Sequence, residues 1–276
     1  MTPRTIVITG ASDGIGAAAA AQLTAAGHDV VLVGRSPEKT ARVAARIGTD
    51  RVHLADFQDL SQVRTLAHEL NEIPQIDVLV HNAGGLFSGP EKTVDGFEKT
   101  FQVNHLAPYL LTHAMLPTLL RSKTAIINTS SIGARLFSDL DLNDLNTFEN
   151  YTPNKSYGNA KLANILFAKG LHRHFHDRGL TAVAFHPGNV ATSFASDTTS
   201  YFRWIYHGIL KKALISPEKG GQNLSRYAGG RPGVTWTSGE FYGPNGRVMR
   251  THRDAYVNRN IDGHWQRSAD MLGIAW

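Results

Sequence analysis

Short apolar runs alternate with longer helical patterns along most of this chain of 276 residues. Apolar runs of this length are typical of strands that are buried on both faces of a sheet. Their repeated alternation with helices predicts an α/β fold built on one doubly wound parallel sheet, with helices on both of its faces. The predicted strands are Ile6–Ile8, Val30–Val33, Val52–Leu54, Ile76–Val80, Ala125–Ile127 and Ala182–Phe185.

The predicted helices lie between these strands. Ser36-Pro37 and Ser216-Pro217 each indicate a helix start, with a capping serine and a proline at the first helical position. Pro108 lies inside the longest helical region and should kink or interrupt it. The predicted helices are Ala17–Ala26, Glu38–Ile47, Leu60–Leu70, Val94–Leu120 and Tyr157–His176.

Nothing in the sequence divides this pattern into separate units. The absence of a linker, an internal repeat or a low-complexity tract predicts a single domain over residues 1–276, with a less regular C-terminal third. Hydrophobic residues make up 42% of the chain, which is enough to close a core and too much for a disordered protein. The first apolar stretch is too short for a secretory signal, and no run approaches the ~18 residues of a membrane span. We therefore expect a cytoplasmic protein.

Charge and cysteine content exclude several classes of protein. The 28 Lys and Arg residues exceed the 23 Asp and Glu residues, for a formal charge of +5. This mild excess, without a long basic run, fits anionic small molecules and argues against nucleic-acid binding. The chain has no cysteine, which excludes a disulfide framework, a cysteine nucleophile, an iron–sulfur cluster and a thiolate zinc site.

A glycine-rich turn, Thr9-Gly10-Ala11-Ser12-Asp13-Gly14-Ile15-Gly16, follows the first predicted strand. Glycines let the backbone turn tightly, and the amides at the start of the next helix can receive a pyrophosphate, whose charge the helix dipole favours. A glycine turn is often only a turn. Its place between a buried strand and an alanine-rich helix nevertheless predicts a dinucleotide site of the Rossmann type.

The end of the second strand indicates which dinucleotide binds. NAD sites usually carry a carboxylate about 20 residues after the first glycines, whereas this chain has Gly34-Arg35-Ser36 there. A guanidinium forms paired, charge-assisted hydrogen bonds with phosphate. Arg35 and Ser36 therefore predict NADP(H), with a solvated loop arginine as the alternative. Asp56, after the third strand, either accepts a hydrogen bond from the adenine amino group or simply begins the next loop.

Tyr157 and Lys161 are four residues apart on a predicted helix, so their side chains share one face. A tyrosine can act as an acid or base near neutral pH only if its pKa falls well below about 10. A positive charge about 4 Å away, at an effective dielectric near 20, contributes about 4 kcal/mol. That would lower the phenol pKa by roughly three. Taken alone, a tyrosine and a lysine at this spacing occur by chance in many helices, and an exposed, inert pair is the better interpretation.

Other polar residues follow the remaining strands. Asn82-Ala83-Gly84 follows the fourth strand, Ser130-Ser131 the fifth, and His186-Pro187-Gly188-Asn189-Val190-Ala191-Thr192 the sixth, while Asn104 lies in the central helical region. In open α/β sheets ligands bind at the carboxyl ends of the strands. These groups should therefore converge with the tyrosine and the lysine on one edge.

In this combination and order, the motifs over residues 5–192 resemble those of the short-chain dehydrogenase/reductase family. Each motif is weak alone, but the set is specific. The resemblance implies hydride transfer between NADP(H) and a carbonyl or alcohol carbon. With Arg35, Ser36 and Asp56, the expected cofactor-binding residues are Gly10, Ser12, Asp13, Gly14, Ile15, Gly16, Asn82, Ala83, Gly84, Tyr157, Lys161, Pro187, Gly188, Val190 and Thr192.

The resemblance also implies the catalytic roles. Tyr157 is the acid/base, and Lys161 binds the nicotinamide ribose and lowers the phenol pKa. Ser131 holds the substrate oxygen and is preferred over Ser130, because the family's serine is usually the second of such a pair. Asn104 positions a water in the proton relay that resupplies the tyrosine through the ribose and the lysine.

One departure from the family pattern points to a branch of it. Ser131 and Tyr157 are 26 residues apart, farther than in many members. The extra segment Leu136–Pro153, together with the sequence after Lys161, resembles the retinol dehydrogenase-like and WW-domain oxidoreductase-like branch. Its acidic residues favour a solvated loop over a metal site, and the histidines at the end of the tyrosine helix favour a polar helix end over a metal clamp. The acidic residues are Asp139, Asp141, Asp144 and Glu149, and the histidines are His172, His174 and His176.

The aromatic and basic segment 201–212 permits three interpretations: a substrate lid spanning about residues 193–215, a core helix, or a helix at a membrane surface. We favour the lid and expect no membrane contact. As a lid or a membrane segment it suggests a lipophilic substrate. Leu162, Ile165, Leu166 and Phe167 either pack against a second subunit in a homo-dimer or homo-tetramer or belong to the core of one chain.

Three functions are compatible with the sequence. The first is an NADP(H)-dependent alcohol dehydrogenase or carbonyl reductase acting on a lipophilic small molecule. The second is a catalytically silent NADP(H)-binding regulatory or scaffold protein, which the presence of the whole tyrosine–lysine–serine–asparagine set argues against. The third is light-driven pigment reduction, as in the related protochlorophyllide reductases, which use a cysteine that this chain lacks.

Overall fold

A computed structural model describes residues 2–190 and 214–276 of the chain. Within these residues, seven strands form one parallel sheet: β1 (Thr5–Thr9), β2 (Asp29–Gly34), β3 (Val52–Leu54), β4 (Val78–His81), β5 (Ala125–Thr129), β6 (Thr181–Phe185) and β7 (Phe241–Tyr242). Their spatial order is β3-β2-β1-β4-β5-β6-β7. The order reverses between β1 and β4, and such a reversal opens a crevice at the carboxyl ends of the strands.

Helices cover both faces of the sheet, as predicted. One apolar cluster lies on the face covered by the first, second and ninth helices, and a larger one lies on the other face. The helices are α1 (Gly14–Ala25), α2 (Pro37–Ile47), α3 (Leu60–Asn71), α4 (Lys99–Phe101), α5 (Ala107–Ala114), α6 (Leu116–Ser122), α7 (Gly133–Leu136), α8 (Pro153–Phe175), α9 (Pro217–Ala228) and α10 (Asn258–Leu272).

The six predicted strands are all present, and the bounds of one of them are shifted along the sequence. The fourth begins at Val78 rather than at residue 76 and ends at His81. The remaining strand, β7, has two residues and escapes prediction because so short a run carries no periodic signal. Helix α10 was also missed, since polar residues dominate it and only spaced positions such as Ile261 and Trp265 are buried.

The prediction of one helical region over Val94–Leu120 was wrong at its start. The first helical turn begins at Lys99, because the buried Glu98 carboxylate accepts from the amides of Thr100 and Phe101 and caps it. The predicted interruption is confirmed as a π-helical turn, Gln102–Leu106, which directly precedes the segment containing Pro108. A second break follows at Met115, so the region consists of short helices joined end to end.

Helix α8 begins at Pro153, four residues before the predicted start, with Thr152 as its cap. The inserted segment before it packs on the helix through Asn159. The side-chain oxygen of Asn159 accepts from the Asp139 amide at 2.7 Å, and its nitrogen donates to Thr147 Oγ1 at 2.9 Å. The four apolar residues after Lys161 are fully buried within one chain, so they form intramolecular core.

Candidate active site

The glycine-rich turn joins β1 to α1 and packs against the segment that follows β4. A Cβ at Gly10, which has a φ of +65°, would lie 2.7 Å from Ala83 Cα, and one at Gly16 would lie 2.2 Å from the Gly10 carbonyl oxygen. Packing within the protein therefore requires both of these glycines. Asp13 caps α1, because its Oδ1 accepts from the Gly14 amide at 2.7 Å.

A cleft of about 440 Å³ lies beside this turn, over the carboxyl ends of the first four strands. Its walls include most of the residues expected to hold a dinucleotide, together with apolar side chains such as Phe57 and Val103. Gly16 and the residues that follow β6 do not line it. The expected residues that do are Gly10, Ser12, Asp13, Gly14, Ile15, Arg35, Ser36, Asp56, Asn82, Ala83 and Gly84.

Arg35 is exposed at the end of the cleft where β2 meets α2. Ser36 caps α2, and its hydroxyl accepts from the Lys39 amide at 3.3 Å. Lys39 also lines the cleft and pairs with Asp13 at 3.2 Å, although both side chains are about half exposed and such a pair contributes little stability. Lys39 was not among the residues predicted to line this cleft. Its place in the first turn after Ser36-Pro37 was the available signal.

Asp56 has the loop role that was expected as one alternative, and its contact with an adenine amino group stays a prediction. Its Oδ1 accepts from the Gln58 amide at 3.0 Å and so shapes the loop after β3, while the residue also borders the cleft. Asn82, in contrast, is held by the protein itself. Its side-chain nitrogen donates to the carbonyls of Thr9 and Gly10, both at 3.2 Å, and so joins the end of β4 to the glycine turn.

A smaller cavity, of about 80 Å³, adjoins the cleft. Ile15, Asn82 and Gly84 line both spaces, so the two lie side by side. The smaller cavity brings together residues from β5, α8 and the segment after β6, as predicted for this edge. Thr192, which was also predicted here, lies outside the described residues, as does most of the proposed lid. The other lining residues are Thr129, Ser130, Ser131, Tyr157, Lys161, His186, Pro187, Gly188, Asn189 and Val190.

Tyr157 and Lys161 lie one turn apart on α8 and face this cavity. The Lys161 Nζ is 5.5 Å from the centroid of the Tyr157 ring. Gly133 leaves room for that ring, because a Cβ at this position would lie 3.1 Å from Tyr157 Cε1 and 3.4 Å from Ser131 Oγ. The tyrosine and serine side chains therefore flank the same small space.

The two neighbouring serines differ in their hydrogen bonds. Ser130 donates its hydroxyl hydrogen to the Lys161 carbonyl at 2.7 Å, which fixes the end of β5 to α8. Ser131 Oγ accepts from the Gly133 amide at 3.1 Å, an arrangement that leaves its hydroxyl hydrogen to donate elsewhere. This difference supports Ser131 over Ser130 as the serine that faces a substrate.

Lys161 is 3% exposed, and its ammonium donates to the Thr129 carbonyl at 3.3 Å. Burial lowers the pKa of Lys161 to about 7, because desolvation disfavours the charged form. Asn104 lies close by. A Cβ at Gly84 would be 2.3 Å from Asn104 Oδ1 and 3.3 Å from Lys161 Nζ, so the two side chains meet at this glycine.

Asn104 lies in the π-helical turn and does not itself line either cavity. Its side-chain nitrogen donates to the carbonyls of Gly85 and Thr100, both at 2.8 Å, while its buried Oδ1 has no protein partner. Pro108, four residues later, has no N–H to give to the Asn104 carbonyl, as an α-helical residue would. The Oδ1 of Asn104 is thus an acceptor available beside the buried lysine.

The shifted pKa of Lys161 predicts a pH-dependent stability. The folded chain releases the proton near pH 7 and the unfolded chain near 10.5, so the unfolded state binds more protons between these values and wild-type stability rises with pH. Lys161→Met removes this dependence. In urea unfolding, the free energy of unfolding of Lys161→Met minus that of the wild type should fall by about 3 kcal/mol between pH 7 and pH 10. The exposed Lys219→Met, as control, should show no such trend, and a constant advantage for Lys161→Met would contradict the assignment.

The histidine-containing end of α8 carries ordinary helix-end contacts. His172 Nδ1 pairs with Ser238 Oγ at 3.0 Å, and the His174 ring stacks on Trp265 with centroids 4.6 Å apart. No cluster of metal-ligating side chains occurs in residues 2–190 and 214–276. The helices of that same part of the chain include none long and apolar enough to cross a membrane.

The chain resembles known proteins in both sequence and fold. Residues 4–201 match the sequence model of the short chain dehydrogenase family. A protein of Streptomyces sp. (strain C5), named provisionally as daunorubicin C-13 ketoreductase DnrU, is 40% identical over 98% of this chain and 93% of its own. Retinol dehydrogenase 12 of Mus musculus is 32% identical, over 99% and 87%. A crystal structure of an uncharacterised protein from Mycobacterium paratuberculosis superposes with a TM-score of 0.79 at 29% identity, over 98% and 94%.

Proposed function

The chain belongs to the short-chain dehydrogenase family, and we propose that it is an NADP(H)-dependent carbonyl reductase or alcohol dehydrogenase that acts on lipophilic small molecules. The observation that carries the proposal is the meeting of Ser131, Tyr157 and Lys161 in one small cavity. That cavity lies beside a cleft of the kind that holds a dinucleotide, and Gly84 lines both.

The residues present fit a nicotinamide dinucleotide. The cleft runs from the N-terminus of α1, where amides favour a pyrophosphate, to Arg35 and Ser36 at the end of β2. No carboxylate stands at that strand end to bind a ribose 2′-hydroxyl. A guanidinium, with the Lys39 ammonium on the same wall, suits a 2′-phosphate instead. When bound, the coenzyme supplies or accepts the hydride, and the protein provides orientation and charge.

In the reductive direction, Ser131 and Tyr157 both donate hydrogen bonds to the carbonyl oxygen of the substrate. These donors stabilise the negative charge that develops on that oxygen. Tyr157 then transfers its phenolic proton to the oxygen. The Lys161 ammonium, about one helical turn away, stabilises the phenolate left behind. A water held by Asn104 Oδ1, which has no protein partner, returns a proton to this end of the site.

Several features support a lipophilic substrate. Ile15, Pro187 and Val190 contribute apolar wall to the smaller cavity. Ile215, at the described end of the proposed lid region, donates its amide to the Asn189 carbonyl at 2.8 Å and brings its side chain over Gly188. Of the two relatives described above, one is named for retinol and the other for ketone reduction at C-13 of daunorubicin.

A panel of carbonyl compounds tests this function. We expect the wild-type chain to oxidise NADPH with ketones, aldehydes or quinones, with kcat/KM rising by about tenfold or more from short to long apolar side groups, as burial of a few methylenes allows. Tight NADPH binding without turnover on the whole panel would favour the silent regulatory protein instead. We also propose that the protein is a homo-dimer or homo-tetramer and that it is cytoplasmic. Sedimentation velocity measures the oligomeric state directly.

A further inference from the structure

We propose that His264, His105 and Asn164 form a buried, directional chain of hydrogen bonds that positions Lys161 and ties the C-terminal helix α10 to the active site. All three side chains in this series of hydrogen bonds are neutral, and the direction of the hydrogen bonds fixes the tautomer of each histidine. The effect of these hydrogen bonds on catalysis rests on the function proposed above. The hydrogen-bonding pattern itself is independent of that function.

The three side chains come from three separate elements. His105 follows Asn104 in the π-helical turn, Asn164 lies one turn after Lys161 on α8, and His264 lies on α10. His105 Nδ1 is 3.3 Å from Asn164 Oδ1, and His105 Nε2 is 3.0 Å from His264 Nε2. Both histidines are fully buried, and the asparagine is 3% exposed.

The direction of the chain follows from the asparagine. Asn164 donates its side-chain nitrogen to the Thr129 carbonyl at 3.1 Å, so its oxygen faces His105. An amide oxygen only accepts. His105 must therefore carry its hydrogen on Nδ1, and its Nε2 becomes an acceptor. His264 Nε2, which faces that acceptor, must then carry a hydrogen and donate it.

Ser268 completes the junction between the two rings. Its Oγ lies 3.2 Å from His105 Nε2 and 3.4 Å from His264 Nε2. Protonation of His105 on Nε2 would set two N–H groups against each other across 3.0 Å. Burial also lowers the pKa of His105 to about 3 and that of His264 well below its ordinary value. Geometry and desolvation therefore both keep the pair neutral.

The far end of the chain reaches the candidate catalytic lysine. The Thr129 carbonyl accepts from Asn164 and also from the Lys161 ammonium at 3.3 Å. Fixing Asn164 therefore fixes the acceptor that holds Lys161. Because His105 adjoins Asn104, the same chain also restrains the π-helical turn. His105, Asn164 and His264 are positioning residues, since none of them lines the cavities beside Tyr157.

The tautomers can be measured directly on the wild-type protein. In a long-range nitrogen–proton spectrum of histidine-labelled enzyme, His105 should show its hydrogen on Nδ1 and His264 on Nε2, with both rings neutral at pH 6. The exposed His68 serves as the reference for a solvent-accessible ring. An Nε2–H tautomer for His105, or an imidazolium at either position, would overturn the proposal whatever the catalytic activity.

A pair of substitutions separates hydrogen bonding from packing. His105→Asn can keep a donor near the position of Nδ1, whereas the larger His105→Gln places its amide near Nε2 and loses that donor. We expect Gln to lower kcat by about tenfold, the effect of a small misplacement near the site, and Asn to restore it to within about threefold of wild type. Thermal unfolding should rank the two in the opposite order, since Gln fills more of the cavity.

The outcomes of this comparison are distinct from those that test the function. If kcat follows stability, with Gln above Asn, His105 acts through packing alone and the positioning role is wrong. Tyr157→Phe probes the catalytic assignment separately, because it removes only the phenolic oxygen that serves as the proton donor in the proposed function. If both His105 variants fail to fold, the wild-type tautomers still decide the question.

Discussion

Replacing Tyr157 by phenylalanine is expected to lower kcat for NADPH-dependent carbonyl reduction by about 1000-fold, within the range that general acid–base catalysis supplies. The change removes only the phenolic oxygen of a side chain that is 5% exposed, so the ring should keep its place beside Gly133. The affinity for NADPH should therefore stay within about threefold, because no charge is lost from the cleft. Steady-state kinetics and coenzyme fluorescence titration measure the two quantities.

Tyr256→Phe provides the matched control. Tyr256 is 51% exposed and lies in a short helical turn before α10, away from both cavities. Its substitution should leave kcat unchanged. Activity of Tyr157→Phe close to that of the wild type would show that another group delivers the proton. A parallel loss of NADPH affinity would mean that the variant disturbs the cleft rather than the chemistry.

Arg35→Asp is expected to change the coenzyme preference by about 1000-fold, expressed as the ratio of kcat/KM for NADPH to that for NADH. The guanidinium gives charge-assisted hydrogen bonds to a 2′-phosphate, while an aspartate repels the phosphate and accepts from a ribose 2′-hydroxyl. Losing one such contact and gaining the other amounts to about 4 kcal/mol. Initial rates with each coenzyme, at saturating carbonyl substrate, give the ratio.

Arg42→Asp is the matched control, because it makes the same change of charge within α2, outside the cleft. Arg42 is 69% exposed, pairs with Glu38 and does not line the cleft. A general electrostatic effect would alter both variants alike, whereas the proposed contact predicts that only Arg35→Asp inverts the preference. An unchanged ratio in Arg35→Asp would assign the discrimination to other residues, with Lys39 the nearest cation on the same wall.

Much of the site could be predicted because it depends on local sequence. The glycine turn, Arg35, and the tyrosine and lysine one helical turn apart each lie where a strand ends or a helix begins, and parallel strands bring such ends to one edge. Lys39 was missed because its place in the first turn of α2 does not by itself show that α2 approaches Asp13. For the π-helical turn, Pro108 predicted an interruption of the helix but not the type of turn that forms it.

The neutral histidine chain illustrates what local sequence cannot supply. His105 stands directly after Asn104, and Asn164 stands three residues after Lys161, but neither position announces a partner. The third member, His264, lies on a polar helix that periodicity did not predict. Its contact with His105 arises only when α10 packs against α8 and the π-helical turn. Tertiary packing therefore determines this part of the site.

The fate of the hydride tests the account most directly. The wild-type chain is incubated with the fastest ketone of the panel and, in separate samples, with NADPH deuterated on either face of its hydride-donating carbon. We predict an alcohol that carries deuterium on its carbinol carbon from one of the two coenzymes, as mass spectrometry will show. Bound NADPH with no alcohol formed, or an alcohol free of deuterium from both samples, would contradict an oxidoreductase function for this site.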